Sequence, residues 1–503
     1  MTDNIILLPV ILQMAIALVC LFFWSRTKWQ RGASIVGNII FLGVTLDLFF
    51  RVYFDGILVS QAGDWEAPFG ITFVVDLFSA SMLVISAFSG LAVSIFAAGS
   101  MSRRRALFVF YPIYHFLLMG ITGSFIAGDL FNLYVWFELI IIASFGLITL
   151  GGGRRQLEGA LKYVTLNLIA STLFLTSIAF IYGLTGSLNL ADLALKIPLV
   201  ENEALVTIAA LLFFVGLGIK TAVFPMYFWL PASYHTPMSA ISAIFGGLLT
   251  KVGVYALLRV FSLFFLPDSF TATVISIIAA LTLIMGAMGA LIQKDVRKVF
   301  SWLIVCHIGF MIAGLGIYTH VAIAGAVLYL FHDIVVKTNI FMISGLLHKI
   351  NCTHKLRRLG GLYSRYPALS FLIAIPLFSL VGIPPFSGFW PKVLLIQGGL
   401  DIGDYLIIAA IILGSFVTLT TIGKLWLEAV WKEPPPITYL KHFIPFKDMK
   451  KSQQFTYVFP IALLTVVSLF FGLGASWMIE VVNRIAEDLL NPEVYIHSIL
   501  QNR

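Results

Sequence analysis

Three cysteines in 503 residues, Cys20, Cys306 and Cys352, stand far apart and form no CxxC pair. A disulfide scaffold, a zinc site and an iron–sulfur cluster therefore have no basis in the sequence. Charge is scarce too, with Asp, Glu, Lys and Arg making up 11% of the chain. So few charges would not solvate a soluble protein of this length. Nucleotide motifs are missing: the glycines at 151–153 are followed by two arginines, without the Lys-Ser/Thr that a phosphate loop needs. No Ser–His–Asp grouping or metal-ligand spacing stands out. Neither an enzyme nor a cofactor is expected.

What the chain has is hydrocarbon. It is 60% hydrophobic, with a mean hydropathy of +0.99. Apolar stretches of roughly 20 residues, each able to cross a bilayer core of ~30 Å, run end to end. Fourteen can be read, at about 5–24, 33–53, 74–98, 106–124, 130–150, 158–183, 204–230, 237–264, 271–292, 299–317, 321–348, 367–398, 405–431 and 457–479. The fold class expected is an all-α polytopic membrane protein, residues 1–503 forming a single integral membrane domain. The longest connections, 184–203, 349–366 and 432–456, leave little room for a soluble domain. The first apolar run has no basic residue before it and three soon after it, the reverse of a cleavable signal peptide, so it is expected to stay.

The net charge of +8 is unevenly placed. Connections 25–32, 100–105, 151–157, 293–298, 349–366 and 432–456 hold 21 Lys/Arg against three acids. The alternate connections and both termini hold 15 acids and three bases. This is the positive-inside asymmetry. It predicts an even number of spans and both termini on the outer side of a cell membrane. It also gives the positive charge a role that needs no nucleic acid. The Asn-Cys-Thr sequon at 351–353 falls on the inner side and is set aside.

Fourteen charged residues remain within the spans. Eight form i,i+4 pairs, Asp47–Arg51, Glu158–Lys162, Asp333–Lys337 and Lys424–Glu428, each on one helix face and able to neutralise itself. Asp76 and Arg259 lie near the outer ends of their spans, where snorkelling to the headgroups is expected. Four are deep and lack a local partner: Glu138, Lys220, Lys251 and Lys392. An ammonium at mid-membrane costs several kcal/mol, about 2.5–3.5 on insertion scales. Interhelical braces would account for them. Titratable stations on an ion route account for them better, because amines exceed carboxylates. Burial disfavours the charged amine, so a lysine without a full-time counter-ion can exchange a proton near neutral pH.

Prolines point to the same places. Pro225 follows Lys220 in "GLGIKTAVFPMYFWLP", and Pro384, Pro385 and Pro391 precede Lys392 in "FSLVGIPPFSGFWPK". Each set predicts a broken helix, Pro225 freeing the carbonyl near Thr221. Broken backbone at membrane depth survives only beside protein or water that satisfies it. Two such breaks, one in each half of the chain, are the mark of an inverted-repeat transporter. His332 and His307 lie deep in the eleventh and tenth spans, and His332 adjoins Asp333 in "YLFHDIVVKTNIF". They are added to the candidates with Asp333 and Lys337. The stretch "VVNRIAEDLLNPEVYIHSIL" reads equally as an amphipathic surface helix or as a contact for a partner.

The strings "NLYVWFELIIIASFGLI", "GIKTAVFPMYFWLPASYHTPMSAISAIFGGLLTKVGVYALLR" and "GIPPFSGFWPK" resemble the antiporter-like subunits shared by Mrp-type cation/proton antiporters, respiratory complex I and membrane-bound hydrogenases. The resemblance covers essentially the whole chain. It implies two inverted five-helix repeats, spans 4–8 and 9–13, each with a broken helix. Residues 1–105 would form the first three spans, 106–264 and 271–431 the repeats, and 457–503 the last span and tail. It favours the D-type branch of the Mrp group, since no long lateral helix follows the last span and position 392 is lysine. By the same resemblance Glu138 would pair with Lys220, Lys251 would bridge the halves, Lys392 would control the second half-channel, and His332 would be the histidine of span eleven.

The function expected is proton translocation in a hetero-oligomeric Na+/H+ (or K+/H+) antiporter, with other subunits and the lipid bilayer as partners. The alternatives are a proton-pumping subunit of a redox complex and a stand-alone permease.

Overall fold

The computed structural model describes residues 4–433 and 446–500; part of the basic connection 432–456 lies outside the described residues. Among the described residues, twelve helices are long and apolar enough to cross a membrane. They are α1 (Ile5–Phe22), α2 (Thr27–Asp55), α3 (Leu77–Ser100), α5 (Leu130–Thr149), α6 (Arg154–Thr185), α7 (Glu203–Thr221), α8 (Ser239–Leu263), α9 (Ser269–Leu291), α10 (Val296–Ile317), α11 (His320–Asn351), α14 (Tyr405–Trp431) and α15 (Lys451–Leu473). Two shorter apolar helices, α4 (Phe110–Ile126) and α12 (Pro367–Val381), fall in the remaining predicted stretches. Helix α13 (Phe389–Ile402) continues the second of these beyond a break. A small hairpin departs from the all-helical expectation: β1 (Leu58–Gln61) pairs antiparallel with β2 (Thr72–Val75).

Asp76 and three acids of the alternate connections have a structural use that the charge count did not reveal. Asp76, Asp129, Asp268 and Asp404 cap the N-termini of α3, α5, α9 and α14, each accepting from a backbone N–H of the first turn. A carboxylate there satisfies an orphan donor and faces the positive end of the helix dipole. Helices that start on one face with aspartate and end on the other near lysine and arginine use both ends of that dipole. The basic connections meet one another, as when Arg31 donates to the Met101 carbonyl and Gly361 N–H to that of Lys432.

Burial is graded. Every residue of the most apolar stretch of α8 is buried, and nearly every one in α10 and α11, whereas α1, α2 and α6 leave most of theirs on the surface. Helix α11 carries His332, Asp333, Lys337, Thr338 and Asn339, so no face of it could meet lipid cheaply. It therefore sits at the centre. Gly246 and Gly247 of α8 allow close approach: a Cβ at Gly247 would collide with Thr338, and one at Gly246 with Phe341.

Two charge assignments change. Asp76 and Arg259 do not snorkel; they pair at 2.6 Å and are both buried. The tail explains why. Helix α16 (Ala475–Leu490) buries Ala475, Met478, Val482, Ile485 and Leu489 along one stripe against its own chain. Helix α17 (Glu493–Leu500) then brings the Tyr495 ring to 5.3 Å from the Arg259 guanidinium. This cover closes the route to the headgroups. Glu428 bonds Lys432 at 2.9 Å rather than Lys424, which reaches the Leu291 carbonyl. Asp47–Arg51 and Glu158–Lys162 form as expected, at 2.8 and 2.7 Å.

Candidate functional site

Both breaks are left-handed helix caps. Helix α7 stops at Thr221, and Ala222 takes φ 66°. The Val223 N–H returns to the Gly218 carbonyl at 3.0 Å and that of Ala222 to Ile219 at 3.1 Å. Helix α12 stops at Val381, Gly382 takes φ 85°, and Ile383 and Gly382 return to Phe378 and Ser379. This pattern closes a helix without any proline. The prediction that Pro225 frees a carbonyl near Thr221 is thus corrected, since the helix has ended four residues earlier. Pro384 and Pro385 likewise lie beyond the end of α12, and Pro391 falls in the first turn of α13, where no helical donor is lost. Pro376 sits inside α12 without breaking it.

Carbonyls at the two caps take side-chain donors of different kinds. At the first, the Trp229 indole donates to the Ile219 carbonyl at 2.9 Å. At the second, the Lys392 ammonium donates to the Val381 carbonyl at 2.7 Å. A cation at a helix C-terminus gains about 0.3–1 kcal/mol, up to ~2 when partly buried. Lys392 also lies 5.0 Å from the Phe310 ring centre, and Lys220 lies 5.0 Å from that of Phe137. Such a contact adds about 2 kcal/mol when desolvated. Together these offset only part of the cost of a buried ammonium, so both lysines stay sensitive to any charge that approaches.

Lys220 does not pair with Glu138 in this structure; its Nζ donates to Ser171 Oγ at 2.8 Å. The Glu138 charge acts on Lys220 without reaching contact, and Glu138 Oε1 is buried without a hydrogen-bond partner. The pair predicted from the family is therefore open here.

The densest cluster is one that i,i+4 spacing misassigned. Asp333 is no simple partner of Lys337. Its Oδ2 meets Lys251 Nζ at 2.8 Å, its Oδ1 bonds His307 Nδ1 at 2.7 Å, and Lys337 Nζ stands 3.8 Å from Oδ1. All four side chains are wholly buried. Lys251, expected to be without a counter-ion, shares this carboxylate. Its ammonium also donates to the Gly246 carbonyl at 2.7 Å, in a π-helical turn, Phe245–Leu249, that interrupts α8. Such turns often mark functional positions.

His332 opens a second line. Its Nδ1 meets Ser387 Oγ at 2.8 Å, and Ser387 meets Ser379 at 2.6 Å and Ser468 at 3.0 Å. Ser387 lies in the second break, so the histidine of α11 is tied to the loop that precedes Lys392. The sequence held part of this, in "PPFSG". Ser468 and Ser171 carried no signal, because a serine in an apolar helix usually bonds its own backbone.

The candidates thus fall into two groups. Lys251, Asp333, Lys337, His307, His332 and Lys392 act on one another electrostatically. Glu138 and Lys220 form the other, and among the described residues no side-chain contact joins Lys220 to Lys251. Buried polar atoms without a hydrogen-bond partner line the gaps: Thr250 Oγ1, His307 Nε2, Tyr329 OH, His332 Nε2 and Lys337 Nζ. Among the described residues no group of three His, Cys, Asp or Glu is arranged for a metal.

With the geometry in place, similarity to known proteins is informative. Residues 127–418 match the family described as "NADH:quinone oxidoreductase/Mrp antiporter, TM". The chain is 39% identical to the D component of the Na(+)/H(+) antiporter of Alkalihalophilus pseudofirmus, over 99% of this chain and 100% of that protein. It is 37% identical to the protein of the same name in Bacillus subtilis, with the same coverage. Its fold is similar to a chain in the structure of the Mrp complex from a Dietzia species, with a TM-score of 0.89, 26% identity, and 98% and 99% of the two chains covered. The chain belongs to the NADH:quinone oxidoreductase/Mrp antiporter family of membrane proteins.

Proposed function

We propose that this protein is the D-type component of a multisubunit Na+/H+ antiporter and moves protons along its buried Glu/Lys/His axis. It is a transporter component and not an enzyme. The observation that carries the reading is the Asp333 cluster: one carboxylate shared by two ammonium groups and an imidazole, all cut off from bulk water. A permanent brace needs one partner for each charge. A carboxylate with more cations than it can neutralise changes its pairing whenever one proton moves.

In this reading Glu138 and Lys220 form the uptake pair. Closing the pair holds the ammonium; opening it to the Ser171 geometry releases the proton towards Lys251. Asp333 hands charge between Lys251, His307 and Lys337, and His332 with Ser387 carries it to the second break and Lys392. Water beside the unpartnered polar atoms would bridge the steps, since a buried site with two to four polar neighbours holds water readily. No covalent intermediate is needed. One charge crossing 100 mV supplies about 2.3 kcal/mol, enough to drive cation export. Export of Na+ is assigned to a partner protein of the complex, because no cage of oxygen ligands is legible in this chain. The two inverted repeats, 106–264 and 271–431, and both termini on the outer side of the cell membrane belong to the same proposal.

The test is antiport by the assembled complex in everted vesicles from a host lacking its own antiporters. A pH-sensitive dye follows the collapse of ΔpH when NaCl is added. Lys220→Ala and Lys251→Ala should abolish the signal while the complex still assembles. Undiminished antiport in either would reject the relay. Dependence of transport on electron flow, or co-purification with flavin or iron–sulfur proteins, would place the chain in a redox complex instead.

A further inference from the structure

On the basic face a polar cavity of about 390 Å³ opens between the ends of α3, α8, α10, α11 and α15. It lies away from the buried relay and plays no part in the function proposed above. Arg105, Arg297, Lys349, His348 and His354 all contribute to its wall. The carboxylate acting on Arg297 and His348 is Asp295. It is already engaged, accepting from the backbone N–H groups of Arg297 and Lys298 at the start of α10. Arg105 and Arg297 thus bring two guanidinium groups to a partly closed space in which Asp295 is already engaged.

The donors are under-used as well. Arg105 Nη1 donates to the Met238 sulfur, a weak acceptor. Arg297 Nη1 takes the Pro237 carbonyl at 2.9 Å, but its Nε is buried with no partner, and so is His354 Nδ1. The His354 and His348 rings stack at 4.4 Å. Burial, followed by the charge of Arg297, pushes the His354 imidazole down to about 2, so it stands neutral in the cell. The cluster is held firmly: the segment carrying His354 pairs with the start of α10 through Val296 N–H to the His354 carbonyl and Leu356 N–H to that of Lys294.

We infer that this cavity is a binding site for a phosphate group. Two guanidinium forks match a tetrahedral oxyanion, which Arg recognises through paired donors. A halide could not use two forks at once and would leave most of the volume unfilled. Phe96, Met238 and Tyr457 supply an apolar wall beside the cations, as the glycerol and upper acyl chains of a lipid require. Basic pockets between transmembrane helices on the positive side take anionic headgroups in this way. The same chemistry would accept free phosphate.

The experiment uses the assembled complex and two probes, dioleoylphosphatidylglycerol and inorganic phosphate. Native mass spectrometry after exposure to phosphatidylglycerol vesicles compares wild type with Arg105→Gln/Arg297→Gln. Arg105→Lys/Arg297→Lys keeps the charge, and Arg154→Gln/Arg155→Gln removes exposed charge outside the cavity on the same face. The expected result is at least tenfold loss of retained lipid in the first variant, partial retention in the second, and none lost in the third. Phosphatidylcholine should not be retained. If inorganic phosphate protects wild type but not the glutamine variant from thermal unfolding, at matched ionic strength, while lipid retention is equal in both, the source is free phosphate and the site stands. Equal retention together with equal phosphate response would overturn it. Should the glutamine variant fail to assemble, phenylglyoxal labelling of Arg297 in wild type decides: protection by either probe supports the site, and no protection by both refutes it.

Discussion

Replacing Asp333 by asparagine removes one charge at nearly constant volume and disturbs three neighbours together. At an effective dielectric of about 20, unit charges at the Lys251–Asp333 separation of 2.8 Å attract by about 6 kcal/mol. At the 3.8 Å of Lys337 the figure is about 4 kcal/mol. Each is comparable with the several kcal/mol it costs to desolvate an ion. The cluster is therefore near balance, and removing its carboxylate tips it. Breaking a buried pair by deleting one partner costs about 3–5 kcal/mol. Asp333→Asn should accordingly lower the unfolding temperature of the purified complex by several degrees. It should also slow antiport about a hundredfold, since about 3 kcal/mol at the relay's centre is two decades in rate. Lys251→Met should destabilise less, because it removes a cation from a site that has cations to spare. The double variant tests the coupling. If the two side chains share one cluster, Asp333→Asn/Lys251→Met will be about 2 kcal/mol more stable than the sum of the single changes. Additive effects, or wild-type antiport in Asp333→Asn, would refute the reasoning.

The next predictions concern the helix breaks, the contact between α8 and α11, and the C-terminal cover. Gly247→Ala, whose Cβ would meet Thr338, should separate α8 from α11 and impair antiport, whereas Gly43→Ala, facing open space, should not; dye-monitored antiport compares them. Ser387→Ala, which removes the partner of His332 Nδ1, should reduce transport without preventing assembly, and Ser387→Thr should restore part of it. Ala222→Gly, at a residue with φ 66°, should raise thermal stability by about 1 kcal/mol, because glycine takes this conformation without a Cβ clash. Tyr495→Ala should loosen the cover over Arg259 and Asp76, and faster proteolysis of the C-terminal segment would report it.

Much of the architecture was legible because the bilayer leaves few options. Twelve of the predicted apolar stretches contain helices long and apolar enough to cross a membrane and two contain shorter ones, and the breaks lie beside the two lysines that drew attention to them. What periodicity could not supply was partnership across helices. Asp333 and Lys337 are four residues apart and do approach each other, yet the shorter contacts of Asp333 are to Lys251 and His307, 82 and 26 residues away. Spacing along one helix sees only that helix. The same limit explains Asp76 and Arg259: their depth suggested snorkelling, but two later helices, one bringing Tyr495, cover them. Prolines misled in a third way. They mark where a helix cannot resume, while the stop itself is set by left-handed residues at 222 and 382 that no rule for proline would find.

The two halves of the chain use their lysines differently. At the first break a neutral indole takes the carbonyl at the helix end, so Lys220 does not cap it and bonds Ser171 within the field of Glu138. At the second break the lysine is itself the cap, and Lys392 has a carbonyl and an aromatic face but, among the described residues, no carboxylate in contact. A proton on Lys220 can thus be held by closing one ion pair. A proton on Lys392 is held only by a dipole and a ring, and by whatever negative charge Asp333 has not given to Lys251 and Lys337. In the proposed relay the first half would capture a proton and the second let it go. This asymmetry yields a last prediction. A carboxylate introduced beside Lys392, by Phe310→Glu at the ring that lies 5.0 Å from its ammonium, should make the second half hold its proton as the first does. Antiport driven by ΔpH should then fall while assembly is retained, and Phe310→Gln should reduce it less. Equal antiport in both variants would show that release does not depend on leaving Lys392 without a carboxylate.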